Sequence, residues 1–267
     1  MKALRYILYS LIILGAAGLL AYQFFVEQNL ESGNAIKCGL IIAGAIIGMI
    51  KAPRRRISNK KALYQKSYGE FIQNAFSDDK KLESKLYNAI HDYNMNKPAA
   101  AVSKLNKLRK ECQRTADLYA VTVFLGLCYD DMRLYTDAIR EYEAALKIRP
   151  TSTVYSNLGL CYYRTGNTDN AHEAYENAIR IDPHNAFVYN NLSALYFRES
   201  DYYDALEYAE MALSEDPNMV QALSTAAICS ALIGETEDYE RYYRQAVTKG
   251  YDGKKIKATI QALDTSI

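Results

Sequence analysis

Apolar residues follow two different patterns along the chain. In the first they are continuous. Residues 6–26, YILYSLIILGAAGLLAYQFFV, carry no charge across 21 positions. A helix rising ~1.5 Å per residue spans the ~30 Å hydrocarbon core of a bilayer with such a run. A polar turn, EQNLESGN, leads to residues 35–50, AIKCGLIIAGAIIGMI, apolar apart from Lys37. This second run is short for a span that normally takes ~20 residues. Lys37 and Lys51 can snorkel to opposite interfaces and make up the length. The pattern predicts a two-helix transmembrane hairpin over 1–50. A cleaved signal peptide is the competing reading of 6–26, but the run is long for one and no clear A-x-A site follows it. Gly44 and Gly48 stand at GxxxG spacing, and Gly39 precedes Ala43 by the same step. That spacing permits close helix packing, although glycine is also simply frequent in membrane helices.

From residue 62 onward the apolar positions recur at helical spacing. Tyr64, Tyr68, Phe71, Ile72 and Ala75 predict one helix, ended by the polar break SDDK. Leu82, Leu86, Ala89, Ile90 and Tyr93 predict a second, and Ala101, Leu105, Leu108 and Cys112 a third, with Asn96-Lys97-Pro98 as the turn between them. A pattern then repeats. Leu125-Gly126 is followed by Tyr129, Ala138, Tyr142, Ala145 and Pro150. Leu158-Gly159 is followed at the same spacings by Tyr162, Ala171, Tyr175, Ala178 and Pro183. Leu192, Tyr196, Ala205, Ala212 and Pro217 continue the series, with Ser193 in the glycine's place. Over 220–251 the pattern weakens: Ala227, Ser230, Tyr239 and Tyr251 depart from it, while Tyr243 and Ala246 hold register. Ile256, Ile260 and Leu263 mark a last helix.

A 33–34-residue period with this signature resembles the tetratricopeptide repeat. Each register position has a steric role: the small residue admits a close helix crossing, the alanines sit at crossings, the aromatics fill between them, and the proline ends the second helix. The predicted fold class is all-α, a tetratricopeptide helix-hairpin solenoid preceded by the two-helix transmembrane hairpin. Its expected parts are the hairpin 1–50, a basic juxtamembrane linker 51–61, a linker helix and degenerate capping repeat 62–118, the repeats 119–251, and a C-terminal capping helix 252–267.

Charge adds an orientation. Residues 1–61 carry nine Lys/Arg and two Glu, a balance of +7, and the remainder a balance of −6. Lys2 and Arg5 precede the first run, and KAPRRRISNKK follows the second. Basic residues beside a span stay on the cytoplasmic side. The expected location is therefore the cell membrane, multi-pass, with both termini and the repeats cytoplasmic. The basic cluster also suits anionic lipid headgroups. A nuclear or nucleic-acid signal is the other reading of such a run. Its place against a membrane span argues against it, so no nucleic acid is expected as a partner.

Candidate chemistry changes little. Cys38, Cys112, Cys128, Cys161 and Cys229 contain no CxxC pair. Cys128, Cys161 and Cys229 each follow the small register residue by two positions, as small buried thiols do. Thiols ~10 Å apart on successive helices are too distant to bridge, which implies a reducing compartment. His91, His172 and His184 have no partner at metal-ligand spacing. Asp130-Asp131 reads as a solvated helix end, since adjacent helix positions point apart. No catalytic residue, metal or cofactor is expected, and the chain is not expected to be an enzyme.

In the resembled family the first helix of each hairpin lines a concave groove that receives a protein or extended peptide. Carried over, the resemblance places Val123, Phe124, Leu127, Asp130 and Asp131 there from the first clear repeat. The second contributes Thr153, Ser156, Asn157, Leu160, Tyr163 and Arg164. The third contributes Phe187, Asn190, Asn191, Ala194, Phe197 and Arg198. The peptide-binding residues it singles out are Phe124, Ser156, Asn157, Tyr163, Arg164, Phe187, Asn190, Asn191, Phe197 and Arg198. An amide at 157 or 191 can pair a peptide backbone, or can merely satisfy polar groups at helix ends. The lysines of a carboxylate clamp are missing, with Ala120, Thr153 and Phe187 at or near those positions. The expected function is a membrane-anchored adaptor or scaffold whose bilayer contacts are 6–26 and 35–50. The alternative is an assembly or translocation co-factor that hands client polypeptides to membrane machinery. A weaker third option is an enzyme regulator whose repeats sense a ligand.

Overall fold

Twelve helices and no strand make up the residues that the computed structural model describes, 62–264. They are α1 (62–72), α2 (Lys80–Asn94), α3 (Pro98–Arg109), α4 (Thr115–Asp131), α5 (Tyr135–Ile148), α6 (Ser152–Thr165), α7 (Thr168–Ile181), α8 (Ala186–Arg198), α9 (Tyr202–Glu215), α10 (Val220–Leu232), α11 (Thr236–Thr248) and α12 (Gly253–Asp264). The predicted spans 6–26 and 35–50 and the basic linker 51–61 lie outside the described residues. Among the described helices none is long and apolar enough to cross a membrane.

From α2 to α11 the helices pair as antiparallel hairpins, α2/α3, α4/α5, α6/α7, α8/α9 and α10/α11, each stacked on the next. One backbone device makes the four turns from α4/α5 onward. A residue one or two positions past the first helix is left-handed: Arg133 (φ 58°), Gly166 (80°), Ser200 (65°) and Gly234 (86°). The next N–H then bonds back to the helix's last turn: Leu134 to Tyr129 O at 2.9 Å, Asn167 to Tyr162 O at 3.0 Å, Asp201 to Tyr196 O at 3.0 Å, and Glu235 to Ser230 O at 2.8 Å. These bonds satisfy carbonyls that the helix end would otherwise leave open. Side chains cap the starts: Thr151 accepts from Val154 N, Asn167 from Asn170 N and Asp201 from Asp204 N.

The small register residue is required at the crossing. A Cβ on Gly126 would lie 2.6 Å from Tyr142 Cε1, and one on Gly159 would lie 2.6 Å from Tyr175 Cε1. In the α8/α9 hairpin both partners change: Ser193 replaces the glycine, fully buried Ala209 stands where the tyrosine was, and Ser193 Oγ donates to Ala205 O at 2.7 Å. α12 packs on α10 and α11, with Ile256 fully buried.

Two features differ from the periodic reading. The helix predicted through Ala75 stops at residue 72, and Asn74 and Phe76 are left-handed (φ 62° and 53°). Tertiary partners capture the freed backbone. Arg114 donates to Asn74 O at 2.9 Å, and Phe76 N–H donates to Asp117 Oδ1 at 2.6 Å. Second, α4 has no open face: every residue from Tyr119 to Gly126 is buried. Its hairpin partner covers one side, and α1 covers the other.

Candidate peptide-binding groove

First helices touch one another along the stack, α2 on α4, α6 on α8 and α8 on α10, while no two described second helices do so to that extent, which puts the first helices on the inner, concave side. α1 lies along its N-terminal half. The Tyr64 ring stacks on Tyr87 with centroids 6.2 Å apart, and its hydroxyl meets His91 Nδ1 at 2.9 Å. Tyr68 stands edge-on to Phe124 at 5.2 Å and Tyr93 at 6.5 Å, and its hydroxyl donates to Asn94 Oδ1 at 3.0 Å. Phe71 meets Phe124 edge-on at 6.4 Å. Thr153 Oγ1 donates to Glu70 Oε2 at 2.9 Å, and the Arg149 guanidinium donates to Glu70 O while stacking 3.9 Å over Tyr119. Phe124, expected on an open wall, is therefore fully buried under this helix, and Thr153 is engaged by it.

Past α6 the concave side is open. Phe187 at the start of α8 is 70% exposed. Asn157 and Asn190 are half-buried. No other described side chain bonds the Asn157 amide. Asn191 Nδ2 donates to Ser156 Oγ at 3.3 Å, so this amide already ties α8 to α6. Asn185 Nδ2 makes the same kind of bond to Ser152 Oγ, at 3.1 Å. Phe197 is half-buried and tilted against Tyr202 at 5.7 Å.

The two arginines reach backward along the stack. Arg164 pairs with Asp130, one repeat earlier, and lies 5.5 Å from the Tyr135 ring centroid. Arg198 donates to Tyr163 O and stacks 4.0 Å over the Tyr163 ring. Arg164 and Arg198 share one register position, and Asp130 and Tyr163 share the one before it, so each arginine grips the preceding repeat at the same place. Both arginines are exposed. With five N–H donors in a planar fork, each can still offer hydrogen bonds to a second acceptor. Tyr163, expected as a wall, is roofed by Arg198.

Electrostatics set the groove's fixed points. Burial of Asp117 would raise its carboxyl, but the Arg114 guanidinium at 2.9 Å and the Phe76 N–H outweigh it and hold the carboxyl below its ordinary value. Burial and the adjacent Asp130 carboxylate raise Asp131. Burial pushes the Cys128, Cys161 and Cys229 thiols up to about 12. Such thiols stay protonated at neutral pH and are poor nucleophiles and poor ligands. Among the described residues no cluster of three His, Cys, Asp or Glu is placed to hold a metal ion.

Tetratricopeptide repeat profiles match residues 123–152 and 152–185. No curated protein matches the sequence. Solved structures share the fold. MamA superposes with a TM-score of 0.55 at 20% identity, over 64% of this chain and 96% of its own. YrrB, described as a tetratricopeptide protein with an unusual peptide-binding site, superposes with a TM-score of 0.54 at 15% identity, over 70% and 95%. BtubC (BKLC) from P. vanneervenii gives 0.56 at 20% identity, over 79% and 91%. The described chain is an all-helical, tetratricopeptide-like solenoid that carries tetratricopeptide repeats at 123–152 and 152–185.

Proposed function

We propose that this protein is a membrane-anchored adaptor that holds a protein or peptide segment in the open half of its groove, over α6, α8 and α10. The observation that carries the reading is the exposed Phe187 ring at the start of α8, together with the half-buried Asn157 amide on α6, to which no other described side chain bonds. An aromatic anchor and a free donor–acceptor pair together suit an extended peptide: the ring takes a side chain and the amide pairs a backbone unit. Asn191, the exposed arginines and the half-buried Phe197 border the same path. The similarity to YrrB, whose structure has a peptide-binding site, supports a binding role for such a fold. The anchoring half of the reading rests on the two apolar runs at 6–26 and 35–50 and on the basic residues of 51–61.

The test uses the full chain in native membranes, with a photo-crosslinking residue in place of Phe187. A partner crosslinked there is then titrated against the purified full chain. Neutral hydrogen bonds contribute ~0.5–1.5 kcal/mol each, so Asn157→Ala with Asn191→Ala should weaken binding by about tenfold. Wild-type affinity in that double variant moves the site off this groove. For the topology, Ser32→Cys should react with an impermeant reagent in intact cells and Asn218→Cys should not. Labelling of the second overturns a cytoplasmic repeat domain.

A further inference from the structure

The described part of α1, residues 62–72, docks on the first helices of the first three hairpins. One face carries Tyr64, Tyr68 and Phe71, at i, i+4 and i+7, with Glu70 at i+6. Each has a receiver on the concave side. The floor is aromatic, with Tyr87 and Tyr93 on α2 and Phe124 on α4, at centroid distances of 5.2–6.5 Å where ring edges and faces attract. The rim is polar: His91 and Asn94 take the two tyrosine hydroxyls, and Thr153 donates to the carboxylate. Among the described helices α1 has no hairpin partner. It joins the stack through the 73–79 turn, which the Phe76–Asp117 bond fastens. The N-terminal half of the groove thus has the build of a helix receptor, with aromatic pockets at one-turn spacing and polar stations at their edge.

We propose that this half of the groove is a binding site for an amphipathic helix with aromatic side chains at i, i+4 and i+7 and an acid at i+6. α1 fills the site in cis, and a partner helix with that spacing binds by displacing it. The proposal shares with the adaptor reading only the premise that the concave side receives polypeptide. The Asn157 and Asn191 amides of the open half take no part in it.

The probe is a labelled synthetic peptide of residues 62–76, titrated against the full chain in nanodiscs. A docked cis helix lowers the apparent affinity by the fraction of time the site is open, on the order of a hundredfold for ~1% opening. The full chain with Tyr68→Ala and Phe71→Ala should bind the peptide tighter than wild type by that order. A peptide with the same two alanines should bind neither. Equal binding to both chains, or no binding to the variant, overturns the proposal. Hydrogen exchange on the wild-type chain keeps the test decisive if the variant melts. The amides of 62–72 should exchange by an opening that leaves α4 and α6 protected. Exchange of 62–72 only together with α4 and α6 excludes displacement. Failure of the adaptor reading, seen as wild-type partner affinity in the Asn157/Asn191 double variant, leaves both readouts intact.

Discussion

A Cβ on Gly159 would lie 2.6 Å from Cε1 of Tyr175, so the glycine and the ring occupy one another's space. Gly126 and Tyr142 repeat the relationship at the same distance. Where the third repeat abandons the glycine it abandons the tyrosine too, pairing Ser193 with Ala209.

The pair should therefore behave as one unit. Gly159→Ala should destabilise by about 1–3 kcal/mol through overpacking. Tyr175→Ala should cost about 3–5 kcal/mol through the cavity it leaves. The double variant should lose less than the two combined, because the new methyl enters the vacated space. Denaturant titration of all three reads the coupling, and strict additivity would mean that the two residues do not share a crossing.

The buried hydroxyls of Tyr142 and Tyr175 have no hydrogen-bond partner among the described residues. An unsatisfied buried polar group costs about 1–3 kcal/mol. Tyr175→Phe keeps the ring and removes the unpaired oxygen, so it should raise the thermal midpoint or leave it unchanged. A drop of more than a few degrees would reveal a partner for the hydroxyl in solution.

Ser200 holds the left-handed turn position with φ 65°, where the repeats before and after use Gly166 and Gly234. A side chain there costs about 1–2 kcal/mol, partly offset by glycine's greater freedom in the unfolded chain. Ser200→Gly should stabilise by about 0.5–1 kcal/mol on that balance. A thermal midpoint lower than wild type would show that Ser200 has a compensating contact.

Asp117 links the end of the α1 segment to α4, and its carboxyl is held below its ordinary value. For a carboxyl with a depressed folded value, the stabilisation is full above the unfolded pKa, ~3.9, and is lost as pH falls through the lower folded value. Exchange of the Phe76 amide, corrected for intrinsic rate, should accelerate as the solution is acidified below that range. Asp117→Asn should show faster exchange already at neutral pH and no further acid step. An unchanged acid step in the variant would assign the transition to another carboxyl.

The stack was legible because its register residues have no substitute at a helix crossing: Gly126, Gly159 and the alanines recur because sterics demand them. What α1 packs against was not legible. Spacing tells which face of a helix is apolar, not which surface receives it. One signal was present, however. Residues 119–128, YAVTVFLGLC, have no polar face, and a helix apolar all round must be covered on both sides. The arginines show the converse. Recurrence of Arg164 and Arg198 at one repeat's interval reads equally as a binding row or as a grip between neighbours. Only coordinates show Asp130 and the Tyr163 carbonyl as their partners. The joint departure of Ser193 and Ala209 was visible in the sequence, but its meaning needed the measured Gly159–Tyr175 distance.

A repeat array whose units touch only their neighbours unfolds piecemeal, from the ends. α1 breaks that one-dimensional rule by touching α2, α4 and α6 together through Tyr87, Phe124 and Thr153. The N-terminal hairpins thereby acquire a shared brace, while those from α8 onward are joined only pairwise. Two cooperative blocks should result, with the C-terminal block fraying first. The boundary between them would fall near α8, where the groove opens at Phe187.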